Sequence, residues 1–187
     1  AFYVATTGDA SVLEESAPFL TARALEPHEQ EAFLEPRDSG ERASVYEHAA
    51  RAIDRSLATG ARGLPLFGCG DWNDGMNRVG VGGRGESVWM AFFLHATLTA
   101  FAPFAQRRED RERLASWRAH QRALEQALET AGWDGAWYRR GYYDDGTPLG
   151  SASSSECRID ALVQAWSVIS GAVPRPRAET AMRSAEE

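Results

Sequence analysis

Residues 63–89 read GLPLFGCGDWNDGMNRVGVGGRGESVW. Glycines recur through this stretch and flank two carboxylates, Asp71 and Asp74, which enclose Trp72 and Asn73. Glycine lets a backbone approach a ligand closely, because it has no Cβ. An indole beside a carboxylic acid suits a sugar site, since the ring can stack on a pyranose face while the acid protonates a glycosidic oxygen. The stretch therefore favours a carbohydrate-active loop.

Other interpretations of the same loop stay open at this point. Asp and Asn in glycine-rich segments commonly form Asx turns or cap helices without contacting any ligand. A calcium loop is disfavoured, because Met76 stands where such a loop needs glycine and Gly82 stands where it needs glutamate. The literal G-x-G-x-x-G at residues 80–85 is weak evidence for a dinucleotide site, because no apolar strand precedes it.

Helical periodicity dominates the sequence on both sides of this loop. Ser44 and Glu47 form a capping box, and the apolar spacing behind them predicts a helix that Gly60 closes. Further helices are predicted at residues 87–102, 108–131 and 159–170, with weaker ones at 11–25 and from 177 onward. Pro103 should end or kink the second helix.

An aromatic-rich segment at residues 133–150 lies between two of these helices. Its Asp145-Gly146 pair predicts a hairpin turn between residues 137–143 and 147–149. Glu86 should cap or charge the first turn of the helix that follows it. A helix, then a long decorated loop, then a helix is the pattern of an α/α toroid. The predicted fold class is all-α, with long loops and a small β-hairpin.

Composition limits the classes of protein to consider. The 187 residues are 43% hydrophobic and 25% charged, which fits one globular domain or a piece of one. A net charge of −7 argues against nucleic-acid binding. Two cysteines, Cys69 and Cys157, are too few for a disulfide scaffold or a cysteine zinc site. The longest apolar run, at residues 88–104, is interrupted by polar residues and Pro103, so no membrane span is expected.

The motifs together resemble glycoside hydrolase family 94, the inverting sugar phosphorylases. Residues 63–89 carry the most specific part of the resemblance. Their sequence resembles most the β-1,2-glucan branch of the family, which includes the C-terminal module of cyclic β-1,2-glucan synthases. Further blocks in the family's order are Tyr3 with residues 7–9, then residues 45–48, 133–140 and 144–146, and residues 156–160 with 164–166. The resemblance therefore covers nearly the whole chain.

This resemblance implies a fold and a reaction. The fold would be an (α/α)6 barrel, of which residues 1–187 would be a part that is incomplete at both ends. The enzyme would be a glycosyltransferase that moves a hexosyl group to inorganic phosphate and releases α-glucose 1-phosphate. Asp74 would be the general acid, and phosphate would attack the opposite face of the sugar, so no catalytic base is needed. No metal and no organic cofactor are implied, and phosphate is a co-substrate.

The resemblance also assigns substrate contacts. Trp72 would help to form the sugar subsite at the cleavage point, and Cys69 would lie near the acceptor sugar. Asp71 is an equal candidate for a ligand contact and a loop-capping residue. The charge and position of Arg78 suggest that it helps to attract phosphate.

Two alternatives belong to other classes of function. An inverting hydrolase on the same barrel would use water and a second carboxylate, and a non-catalytic fragment would only bind carbohydrate. Family members also use an upstream Arg-Asp segment and a downstream phosphate-binding segment with a His and a Thr-Gly, neither of which is found in this sequence. The expected partners are an oligosaccharide, phosphate, the rest of the barrel and a second copy in a homodimer. The expected location is the cytoplasm or the cytoplasmic module of a membrane-associated synthase.

Overall fold

A computed structural model of the chain describes residues 1–26, 29 and 31–186. The side chain of Asp74 also lies outside the described part, although its backbone lies inside it. The chain divides into two compact units, Ala1–Ser56 and Leu57–Glu187.

The first unit combines two helices with a strand pair. Helix α1 (Phe2–Thr7) and a 3-10 turn (Ser11–Glu14) precede strands β1 (Ser16–Thr21) and β2 (Arg37–Ser44), which pair antiparallel. The helix predicted at residues 11–25 is therefore wrong beyond its first turn. Strand β1 finds its partner across a long connection, and spacing within a short window cannot reveal such a partner. Pro18 also lacks the backbone N–H that a continuing helix needs.

Helix α2 (Val45–Arg55) begins where the capping box predicts. The Ser44 hydroxyl accepts a hydrogen bond from the Glu47 amide at 3.2 Å. The predicted stop at Gly60 is wrong, because the helix ends at Arg55 with Ser56 as its C-cap. Gly60 instead donates its N–H to the Leu64 carbonyl at 2.9 Å, in the turn that leads into the glycine-rich stretch.

The second unit is built on two long helices. Helix α3 (Val88–Arg107) packs on helix α4 (Arg111–Ala127), and α4 continues as one wide π-turn (Leu128–Gly132). The core between them contains fully buried side chains, including Phe92, Leu98, Trp117, Leu124 and Leu128.

Helix α5 (Ala161–Ile169) packs on α3, and helix α6 (Arg175–Glu186) packs on α5. The structure confirms the two helices predicted at residues 159–170 and from 177 onward. Each begins within two residues of its predicted start, and α5 ends one residue before its predicted end. The apolar side chain of Ile169, the last residue of α5, is exposed.

Pro103 does not end α3, and the helix remains buried beyond it. Helix α3 continues to Arg107, and Phe104 and Ala105 beyond the proline are buried. The missing proline N–H costs one helical hydrogen bond. Packing of the following turn against the core compensates for that loss.

A small sheet lies beside the start of α3. Strands β3 (Glu86–Ser87), β4 (Gly141–Tyr142) and β5 (Pro148–Leu149) are antiparallel, with β4 in the middle. The predicted hairpin is confirmed, because the Gly146 amide donates to the Tyr143 carbonyl at 2.9 Å and Gly146 has a φ of 87°. Helices predominate, but this sheet and the β1–β2 pair show that the all-α prediction holds only in part.

Helix α3 passes the length and composition test for a membrane span, contrary to the sequence-based exclusion. It is 20 residues long with a mean hydropathy of 1.5 in its most apolar window, and 56% of that window is buried by the protein. Core helices that are mostly buried pass the same test, so α3 is weak evidence for a membrane span.

Candidate active site

The glycine-rich stretch is closed at its base by backbone pairing. Phe67 donates its N–H to the Gly85 carbonyl at 2.8 Å, and Ser87 donates its N–H to the Pro65 carbonyl at 2.8 Å. The Phe67 ring is buried beneath the stretch. A Cβ at Gly80 would lie 2.6 Å from the Phe67 Cβ, so only glycine fits there. Residues 67–85 therefore form an anchored loop between the turn at Gly60 and β3.

Two consecutive Asx turns shape the DWND part of this loop. The Asp71 carboxylate accepts the Asn73 N–H at 3.1 Å, and the Asn73 side chain accepts the Gly75 N–H at 3.0 Å. A short 3-10 turn, Asp74–Met76, follows with Asn73 as its N-cap. The sequence itself therefore sets the direction in which the backbone passes through Asp74.

A buried arginine holds the start of this turn. Nη2 of Arg140 lies 2.6 Å from Oδ2 of Asp71 and 2.8 Å from Oδ1, and neither side chain has more than 1% of its surface exposed. Nη1 of Arg140 donates to the Ser87 hydroxyl at 3.2 Å. Nε of Arg140 lies 3.2 Å from the Asp160 carboxylate. Arg140 thus joins the DWND loop to Ser87 and Asp160, the N-caps of α3 and α5.

An aromatic cluster lies next to the DWND loop. Trp72 is 59% exposed, and its ring centroid lies 6.3 Å from that of Trp89. Trp89 stacks on Phe93 at 5.3 Å, and the edge of Trp166 contacts both. Trp72 is thus the exposed member of this cluster, and its ring is tilted by 59° against that of Trp89.

The G-x-G-x-x-G segment wraps around a carboxylate of the same chain. The Asp144 carboxylate accepts hydrogen bonds from the amides of Gly82 at 2.6 Å, Arg84 at 2.8 Å and Gly85 at 2.9 Å. A Cβ at Gly82 would lie 2.9 Å from that carboxylate. The backbone hydrogen bonds, first that of Arg84, hold the pKa of Asp144 below its usual value. The anion bound by this loop is therefore a side chain of the same chain. This agrees with the expectation that the G-x-G-x-x-G segment is not a dinucleotide site.

Glu86 does not cap α3, contrary to the sequence-based prediction. Its fully buried carboxylate accepts the amides of Arg62 at 2.9 Å and Leu64 at 3.3 Å, and it pairs with the Arg62 guanidinium at 3.0 Å. Ser87, the next residue, caps the helix instead by accepting the Met90 N–H at 3.1 Å. Glu86 thus anchors the turn that precedes the glycine-rich loop.

Comparison with known proteins places this chain in a family. The model of the Glycosyl hydrolase 94 superfamily, catalytic domain, matches residues 2–187. The chain belongs to this superfamily. The motif-based resemblance is thereby confirmed.

Similar family 94 proteins include a synthase and several phosphorylases. The chain is 54% identical over 183 residues to the cyclic beta-(1,2)-glucan synthase NdvB of Rhizobium meliloti (strain 1021), covering 97% of this chain and 6% of that protein. It is 39% identical over 136 residues to the 3-O-beta-D-glucopyranosyl-beta-D-glucuronide phosphorylase of Paenibacillus borealis, covering 72% and 18%. It is 32% identical over 186 residues to the solabiose phosphorylase of the same organism, covering 98% and 22%. The chain thus spans less than a quarter of the length of these relatives.

Within this family 94 chain, the predicted site residues fall into two groups. Cys69, Trp72 and Arg78 are exposed on the loop, where a ligand can reach them. Asp71 faces inward with its carboxylate occupied by protein partners, which is the loop-capping alternative rather than an open ligand contact. The predicted acid, Asp74, begins the 3-10 turn that follows Asn73. Its side chain lies outside the described part of the structure.

Sequence reasoning missed the residues that hold the loop in place. Arg140 and Asp144 stand about 70 and 60 residues away from their partners in the loop, and no spacing rule connects such distant positions. Both residues lie in blocks of the family resemblance, residues 133–140 and 144–146, but those blocks do not reveal which residues they contact. Within the described part of the chain, no group of three or more His, Cys, Asp or Glu side chains is placed to hold a metal ion.

A cleft of about 420 Å³ opens on another side of the glycine loop. Its walls include Arg62, Leu66, Arg84, Tyr143 and Asp144. None of the four predicted site residues whose side chains the structure describes, Cys69, Asp71, Trp72 and Arg78, lines it. The cleft therefore does not mark the predicted chemistry.

Proposed function

We propose that this chain forms part of the active site of an inverting glycoside phosphorylase. The reaction is phosphorolysis of a β-glucoside, with a β-1,2-linked glucooligosaccharide as the expected substrate, and it yields α-glucose 1-phosphate and a shortened acceptor. The observation that carries this proposal is the braced DWND loop, which presents an exposed Trp72 beside the turn of Asp74 within a match to the superfamily's catalytic domain. Similarity to a β-1,2-glucan synthase and to several phosphorylases supports it.

Each loop residue has a role in this mechanism. Trp72 stacks on the sugar at the cleavage point, and Asp74 protonates the departing glycosidic oxygen. Phosphate attacks the anomeric carbon from the opposite face, so the configuration inverts. Because phosphate is already an anionic nucleophile, no carboxylate base is required, in contrast to inverting hydrolases.

The remaining groups assist with binding. Arg78 attracts phosphate through its charge, and Cys69 lies beside the acceptor sugar. Asp71 acts on the loop rather than on the sugar.

The proposal includes the surroundings of the site. The helices of this chain would form part of an (α/α)6 barrel, whose other helices complete the sugar and phosphate subsites. The homodimer, the lack of a cofactor and the cytoplasmic location stay predictions.

The test uses the full-length gene product and its Asp74→Asn variant. Both are incubated with β-1,2-glucooligosaccharides, with and without inorganic phosphate, and α-glucose 1-phosphate is assayed. We expect phosphate-dependent product that falls by about 10²–10⁴-fold in the variant, since the amide keeps the shape and loses only the acid. Asp145→Asn is the control, because it makes the same change in the exposed hairpin turn and should retain full turnover.

Two outcomes would contradict the proposal. Free glucose that forms equally without phosphate would assign the protein to the inverting hydrolases. Oligosaccharide binding without turnover, unchanged in Asp74→Asn, would leave a carbohydrate-binding module.

A further inference from the structure

We infer that Arg140 is a positioning residue for the general acid, acting through Asp71 to set the direction of the loop at Asp74. This inference rests on the proposed function, because it assigns a task to Arg140 in that reaction. Arg140 immediately precedes strand β4, and it follows Asp71 in the loop by about 70 residues.

The first step of the argument is the burial of the charge. The Arg140 side chain is 1% exposed and the Asp71 side chain is 0% exposed. Removing both charges from water is costly, and a buried pair gives little net stability compared with a well-packed apolar pair. A stability role alone therefore does not account for an ion pair at this place.

The second step is what the pair fixes. Oδ1 of Asp71, which accepts from Arg140 at 2.8 Å, is the same oxygen that accepts the Asn73 N–H at 3.1 Å. Oδ2 of Asp71 accepts the Ser87 hydroxyl at 3.0 Å. One carboxylate therefore joins the turn that leads to Asp74 to the N-terminus of a buried helix. A rotation of Asp71 would lose all of these contacts together.

The third step is the geometry of the guanidinium. Its plane contacts the Asp71 carboxylate, the Ser87 hydroxyl and the Asp160 carboxylate, while its carbon lies 5.1 Å from the centroid of the Phe67 ring. A planar fork with fixed donor directions can donate to Asp71 and Ser87 at once while its charge stays close to Asp160, whereas a lysine ammonium offers one point charge. Arg140→Lys should therefore keep the charge and lose the direction.

The expected kinetic effect follows from misplacing an acid by a fraction of an ångström to 1 Å. Such a displacement can cost about 10² in rate. We expect kcat for oligosaccharide phosphorolysis by the full-length gene product to fall about 10²-fold in Arg140→Lys, while KM changes little. Trp72 remains available for binding, so the ground-state complex should still form.

A change of leaving group separates positioning from general damage. Phosphorolysis of 2,4-dinitrophenyl β-glucoside needs no proton donor, because the phenolate leaves unassisted. The activity of Arg140→Lys on this substrate should stay within a few-fold of wild type. Equal losses on both substrates would overturn the inference.

The matched control is Arg139→Lys, the same substitution at the neighbouring residue. Arg139 is also ion-paired and largely buried, but its partners are Asp134 and the carbonyls of Ala131 and Trp133. Its variant should keep the oligosaccharide kcat within a few-fold. A loss of kcat in Arg139→Lys equal to that in Arg140→Lys would also overturn the inference.

Hydrogen exchange gives a readout that does not depend on activity. The Asn73 amide should exchange faster in Arg140→Lys than in wild type or Arg139→Lys, with the core of α4 unchanged. If wild type produces no sugar phosphate, the proposed function fails, and this exchange result still decides whether Arg140 orders the loop. Unchanged exchange at Asn73 would refute the inference even in an active phosphorylase.

Discussion

Charged side chains with almost no exposed surface lie around the candidate site, and two of them, Asp71 and Glu86, accept hydrogen bonds from backbone amides. Glu86 shows this at the level of one residue, since its carboxylate accepts two backbone amides and one guanidinium. Gly60 packs so closely on it that a Cβ there would lie 2.6 Å from the carboxylate. Such a residue has no neutral substitute that meets all its donors.

We predict that Glu86→Gln lowers the free energy of unfolding by about 2 kcal/mol. The amide loses charge-assisted hydrogen bonds and turns an NH2 group toward donors. Chemical denaturation measures the change. Glu179→Gln is the control, because Glu179 forms an exposed pair with Arg175, and such a pair contributes about 0.5 kcal/mol or less. Equal losses in both variants would contradict a special role for Glu86.

At the scale of elements, Asp144 ties the hairpin β4–β5 to the glycine loop. The pKa of Asp144 is lower in the folded state, mainly because the Arg84 and Gly82 amides donate to the charged form. A lowered pKa means that this contribution is present above the unfolded value of about 4 and disappears as the pH falls through the folded pKa. Neutral pH therefore gives the full effect.

We predict that Asp144→Asn lowers the melting temperature at pH 6 and that its difference from wild type shrinks below about pH 4. Hydrogen exchange should quicken at the amides of Gly82, Arg84 and Gly85. Asp145→Asn is the control, because Asp145 accepts from Thr147 within its own turn and should leave the glycine-loop amides protected. A pH-independent difference between Asp144→Asn and wild type would contradict the assigned cause.

The elements that sequence reasoning predicted are those whose signals are local. The Ser44 cap, the Asp145-Gly146 turn and the spacing of α4 each lie within a few residues, and the structure confirms them. Strand β1 was missed because its partner lies far along the chain. The contacts of Arg140 and Asp144 were missed for the same reason, so the loop could be located from sequence but its supports could not.

At the scale of the whole molecule, the chain corresponds to a small share of the length of its relatives. It covers between 6% and 22% of the three proteins compared. Large apolar side chains are also exposed on its second unit, among them Phe93, Val168 and Ile169. Further protein surface would be needed to cover them.

We predict that residues 1–187 expressed alone turn over β-1,2-glucooligosaccharides far more slowly than the full-length gene product. The family resemblance implies sugar-gripping and phosphate-binding segments, and residues 1–187 do not include the motifs expected of them. Release of α-glucose 1-phosphate measures both proteins, and light scattering reports association through the exposed apolar side chains. Comparable turnover by the 187 residues would show that these segments are dispensable.

The carboxylate of Asp144 in the glycine loop has a consequence for phosphate binding by the proposed phosphorylase. Three backbone amides point at one anion there, and glycine-rich loops of this kind are able to bind phosphate. Asp144 acts as a tethered competitor, with an effective concentration on the order of millimolar or more. Free phosphate would have to displace this carboxylate, so we expect the loop to keep its shape and not to become a second binding site for the proposed co-substrate.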